Sequence, residues 1–117
     1  MTYYITLEPI RGKPFLAGET RGPIDAPELG QIKFTVWLTP ASRDNLSRAI
    51  ARGWLQTGPQ EYMAGAFPAK YMWPMLRVTH REDEKLLWKS HYMHCQPIAF
   101  DYMDLKELDA LELFFTY

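Results

Sequence analysis

The amino-acid sequence predicts an α+β domain: a small, mainly antiparallel sheet with one principal helix on a face and a long Pro/Gly-rich loop. Three observations predict it. Residues 31–39 alternate, with Ile32, Phe34, Val36 and Leu38 on one side and Gln31, Lys33, Thr35, Trp37 and Thr39 on the other, as a half-buried strand does. Helical spacing follows directly in Leu46, Ala49 and Ile50. Residues 9–30 carry four prolines and four glycines, and no periodicity survives so many breakers.

Taken in order, residues 2–8 alternate as well. Tyr3, Ile5 and Leu7 share a face, and the segment predicts a strand that ends at Pro9. Residues 9–30 read as a connector pinned to the core by Phe15, Leu16, Ile24 and Leu29, or as a binding loop, a common role for loops this long. Arg11, Lys13 and Arg21 are mixed there with Glu19, Asp25 and Glu28. Gly12-Lys13-Pro14 lacks the spacing and the Ser/Thr of a phosphate-cradling loop.

Residues 31–39 are expected at the centre of the sheet, with a helix over 40–52 packed on one face. Thr39 is a good N-cap. Pro40 fits the first helical position, where its missing N–H would have no intrahelical partner. Gly53 is placed to end the helix in a left-handed conformation. Arg48 and Arg52 lie one turn apart, and Asp44 precedes Arg48 at a spacing that allows pairing. With Arg43 they form either a basic patch or an ordinary solvated face.

Residues 54–74 are dense in aromatics and methionine: Trp54, Tyr62, Met63, Phe67, Tyr71, Met72 and Trp73. Gly58-Pro59 and Phe67-Pro68 divide them, so residues 60–66 and 69–73 are expected as short helical pieces. Such side chains are usually core. They are also the types enriched at the centre of protein interfaces. Residues 75–93 predict a hairpin around Arg81-Glu82-Asp83-Glu84-Lys85, with a turn longer than two residues because no Asn-Gly or Asp-Gly is present. Residues 97–102 read as extended. Asp104 and Glu107 resemble a capping box, and Leu105, Leu108 and Leu111 repeat at helical spacing before a strand-like C-terminus.

Composition narrows the functional classes. The 117 residues suit one domain, and 47% hydrophobic with 15% aromatic content argues for a packed core. Thirteen basic residues balance fourteen acidic ones, for a net charge of −1, so nucleic-acid binding is expected to be weak or indirect. A single cysteine, Cys95, excludes an internal disulfide and agrees with a cytoplasmic location. The N-terminus lacks the basic region and apolar core of a signal peptide, and no apolar run reaches membrane-spanning length.

Chemistry has one visible cluster, His91-Tyr92-Met93-His94-Cys95, with His80 upstream. On a helix, His91, His94 and Cys95 would share a face. On a strand, which the pattern favours, His94 points away from the other two. No metal and no cofactor is expected, since a structural zinc site wants four ligands. An enzyme would need His80, His91 and Cys95, or His80, His91 and Lys89, to meet in space. No common catalytic or nucleotide-binding motif is present.

The small single domain without catalytic motifs is similar in profile to many proteins of phages and mobile elements, including inhibitors of bacterial defence such as anti-CRISPR proteins. That likeness, one of size and missing motifs, implies a non-catalytic protein-binding domain that inhibits or modulates a larger assembly. Its partner-binding residues would be Trp37, Met63, Phe67, Tyr71, Met72 and Trp73. The alternatives are a nucleic-acid-associated protein, using Arg43, Arg48 and Arg52 with Trp37 as a stacking platform, and a small enzyme built on His80, His91 and Cys95.

Overall fold

A computed structural model describes residues 1–58, 69–99 and 105–117. Its main strands are β1 (Tyr3–Pro9), β2 (Phe15–Thr20), β3 (Gln31–Trp37), β5 (Met75–Glu82), β6 (Lys85–Cys95) and β8 (Ala110–Thr116). Two short strands, β4 (Thr57–Gly58) and β7 (Ile98–Ala99), pair in parallel beside them. The helix α1 spans Pro40–Ala51.

The six main strands close into a barrel in the order β1-β2-β3-β8-β6-β5, every neighbouring pair antiparallel. This corrects the expected open sheet with a helix on one face. Alternation reports that one side of each strand is buried, and a closed barrel satisfies that pattern as well as an open sheet. Closure depends on a pairing distant in sequence: β1 runs beside β5 from Tyr3↔Glu82 to Pro9↔Leu76. The expected long loop is corrected too, because β2 lies inside it.

Gly18 explains why β2 escapes a period-two reading. Ile5 pairs with Gly18 and Thr6 with Leu16, so Ala17 is a bulge residue that shifts the register. A Cβ on Gly18 would sit 2.7 Å from the Trp37 carbonyl oxygen and 2.9 Å from Val36 Cβ. Glycine therefore lets β2 close against β3, where the two strands pair only at Glu19↔Trp37. Further register shifts in β5–β6 lie between Arg77 and Thr79 and between His80 and Arg81.

The interior is filled by the alternating inward residues. Ile5, Leu7, Ile32, Phe34, Val36, Leu76, Val78, Met93, Leu113 and Phe115 are all buried. Leu46 and Ala49 of α1 join the same core, with Leu38 and Ile50 partly buried against it.

The helix starts as its sequence dictates. Ser42 N–H donates to Thr39 Oγ1 at 3.1 Å, and Thr39 N–H donates to Ser42 Oγ at 2.8 Å, a reciprocal capping box. It ends on Gly53 at φ +76°. Gly53 N–H bonds the Ile50 carbonyl and Trp54 N–H bonds the Ala49 carbonyl, the paired bonds of a Schellman motif.

The β5–β6 turn is two residues long, Asp83 and Glu84, shorter than expected. Asp83 takes φ +51° without glycine, and Thr2 and Tyr4 hold it there. Thr2 N–H donates to Asp83 Oδ1, Asp83 N–H donates to the Thr2 carbonyl, and Tyr4 OH donates to the Asp83 carbonyl. The helical spacing from Leu105 yields only a 3-10 turn, Leu105–Glu107, and Leu111 belongs to β8. Residues 69–73 hold a 3-10 turn at Lys70–Met72. The helix expected over 60–66, the residues after Ala99 in the extended piece and the cap at Asp104 lie outside the described residues.

Strand alternation assigns the described loops to the two ends of the barrel. Residues 10–14, the start of α1 and the start of β5 share the end where β1 finishes. Residues 21–30, the Asp83-Glu84 turn and Tyr117 share the end where β1 begins. Among the described residues no helix is long and apolar enough to cross a membrane.

Candidate functional site

The Schellman ending of α1 delivers Trp54 to the barrel end where β1 finishes. Residues 10–14 meet it there. Gly12 N–H bonds the Pro9 carbonyl at 3.3 Å and packs its backbone on the indole. A Cβ on Gly12 would lie 2.8 Å from Trp54 Cζ2, so any side chain would push the loop off the ring. The Phe15 ring stacks on Trp54 with centroids 6.1 Å apart and planes 14° from parallel. The Arg52 guanidinium carbon lies 5.2 Å from the indole centre. These contacts fix Trp54 between two clefts that share it and Arg11.

The first cleft, about 450 Å³, is basic. Among the described residues its charged lining is Arg11 and Lys13 from the β1–β2 loop and Arg48 and Arg52 from the end of α1, with no carboxylate. Arg48 Nη2 donates to Asn45 Oδ1 at 2.6 Å, and the Asn45 amide donates to the Leu16 carbonyl at 3.2 Å. Arg48 is therefore held by Asn45 and not by Asp44. The ion pairs found among the described residues, Lys33–Glu112 and Arg77–Glu8, involve none of the four cations.

The second cleft, about 390 Å³, is lined by Pro9, Ile10, Gly53, Pro74 and Met75 besides Arg11 and Trp54. Ile10 is 58% exposed at its edge. Tyr71 and Met72, 80% and 58% exposed, lie on the 3-10 turn just before Pro74.

The remaining candidates scatter. Trp37 is half-buried, with the Arg21 guanidinium carbon 3.5 Å from its ring centre. That cation covers the face expected to stack on a partner. Arg43 donates to the carbonyls of Leu105 and Lys106, fastening α1 to the 3-10 turn there. The expected patch of Arg43, Arg48 and Arg52 is thus divided between a structural tie and the basic cleft. Trp73 is half-buried, and its carbonyl lies 3.2 Å from His94 Nδ1. Met63 and Phe67 lie outside the described residues.

His80, His91 and Cys95 do not meet. His80 is fully buried inside the barrel. Ile24 N–H donates to its Nε2 at 3.1 Å, so the proton sits on Nδ1, 3.2 Å from the Tyr4 carbonyl. Burial lowers its pKa, and the bond to Tyr4 offsets part of that shift. His91 is exposed, whereas Cys95 is buried and its thiol is pushed up to about 12 by burial, the opposite of an activated nucleophile. Among the described residues no three His, Cys, Asp or Glu side chains cluster as a metal site would require.

Sequence reasoning left Arg11, Lys13 and Trp54 out of its site residues. The usable signal was Gly53: a helix ended there by a Schellman motif fixes the direction of the next residue, Trp54. No protein-family model, curated protein or solved structure gives a significant match to this chain.

Proposed function

We propose that this chain is a non-catalytic protein-binding domain that modulates a larger assembly, docking through the apolar cleft beside Trp54. The partner segment would present one or two apolar side chains to Ile10, Pro74 and Met75. One observation carries the reading. The open apolar cleft and the exposed side chains of Ile10, Tyr71 and Met72 occupy the same barrel end, on a base held by Gly12, Phe15 and Trp54. Exposed apolar side chains grouped around a pre-formed cleft favour a partner site over a solvated surface. Methionine at the rim suits adaptation to an irregular partner.

The test begins with affinity capture from the native host, followed by titration of the purified captured protein. Ile10→Asp and the double substitution Tyr71→Ala/Met72→Ala should each weaken binding at least tenfold with little change in melting temperature, because the side chains are largely exposed. Leu86→Ala, at the opposite barrel end, should bind as the parent does. Equal binding by all three variants would overturn the reading.

A further inference from the structure

We propose that the basic cleft is a phosphate site that takes a short run of single-stranded nucleic acid, a binding activity separate from the protein docking above. The lining brings Arg11 and Lys13 from one loop and Arg48 and Arg52 from one helix turn to a common space of about 450 Å³, with no carboxylate among the described lining residues. A helix C-terminus gives Arg48 and Arg52 a structural reason to be basic, since its free carbonyls attract cations. It gives Arg11 and Lys13 none. Those two arrive from a loop whose course is set by Gly12 against Trp54, and that contact admits no side chain on Gly12.

The chain carries a net charge of −1, so four cations with no acid among the described lining residues make a strong local asymmetry rather than a generally basic surface. The cleft is also prepared. Asn45, itself anchored on β2, holds Arg48 in place before any ligand arrives. Arginine forks match phosphate oxygens bidentately. Trp54 and Phe15, stacked on each other, form part of the same lining, so the sugars and bases linked to the bound phosphates meet apolar surface beside the cations. Four cations can neutralise at most four phosphates, which bounds the salt dependence. At roughly 0.7 of log–log slope per phosphate for single strands, the slope should approach about −2.8, a loss of about fiftyfold between 50 and 200 mM salt.

The experiment is fluorescence anisotropy of the full chain with a labelled 20-nucleotide thymidine strand. Binding at 50 mM salt with that slope is the expected result. Arg48→Gln/Arg52→Gln should halve the slope to about −1.4 and leave only about a sevenfold loss over the same salt range. Lys13→Gln is the second variant should the first lower the melting temperature. Lys33→Gln, an exposed cation outside the cleft, should change nothing. Absence of binding at 50 mM salt would overturn the proposal, as would a slope unchanged by the cleft variants. A labelled 20-residue polyglutamate binding as tightly would show a site for any polyanion and overturn the assignment to phosphate. Displacement of the strand by ATP at equal phosphate concentration would overturn the assignment to a polymer.

Discussion

His80 should hold the 21–30 loop in place only while its imidazole is neutral. The loop leaves β2, reaches β5 and β6 across the barrel end, and returns to β3. Ile24 is its fastening point: its N–H donates to His80 Nε2 at 3.1 Å and its carbonyl accepts from Trp88 Nε1 at 2.7 Å. His80→Leu removes the acceptor for Ile24 N–H and the donor facing the Tyr4 carbonyl. Two backbone groups left without these partners cost about 1–3 kcal/mol each, so a loss of about 2–6 kcal/mol is expected. For a chain of this size that is a fall in melting temperature on the order of 10 °C. Protonation strikes the same bond, because an imidazolium has no lone pair to accept Ile24 N–H. The folded pKa lies below the unfolded value of about 6.5. The contribution of His80 is therefore fully present above about pH 6.5 and is lost as pH falls through the folded pKa, with a slope of at most about 1.4 kcal/mol per pH unit. His80→Gln keeps one donor and one acceptor and does not titrate, so its stability should fall less than that of the parent between pH 7 and 5. Thermal melts of the three proteins across that range, with amide exchange at Ile24, measure both effects. A His80→Leu variant that melts within 2 °C of the parent at pH 7, or a parent and His80→Gln pair that lose stability in parallel, would refute the reasoning.

Three other predictions concern the barrel. Gly18→Ala sets a methyl against the Trp37 carbonyl and Val36, and should cost about 1–3 kcal/mol in urea denaturation. Phe115→Ala empties a fully buried position whose ring stacks on Phe34 at 5.9 Å; about 3–5 kcal/mol should be lost, read as a lower urea midpoint. Cys95, buried with its thiol pushed up to about 12, should resist alkylation at pH 8 in the native protein and react at once in denaturant. Rapid native-state labelling would contradict that burial.

Local chemistry determined the strand from Gln31 to Trp37, the Thr39 cap, the helix of Pro40–Ala51 and the Gly53 ending. Each rests on residues within a few positions of one another: period two, a side-chain oxygen at an N-cap, a left-handed glycine. The β5–β6 hairpin was legible for the same reason, but not its turn, whose tight form depends on Thr2 and Tyr4, far away in sequence. The barrel was not legible. Its closure rests on β1 meeting β5, and β2 hid behind Gly18, a residue that reads as a breaker until Val36 and Trp37 are seen beside it. The site divided in the same way. Exposed Tyr71 and Met72 follow from an aromatic–methionine segment too irregular to bury itself, whereas Arg11 and Lys13 looked like part of a mixed-charge loop. Only the tertiary structure turned them toward Arg48 and Arg52 and away from the loop's acids. Charge along a chain reports composition, whereas a binding cleft depends on distance in space, and that is set by the packing of Gly12 on Trp54.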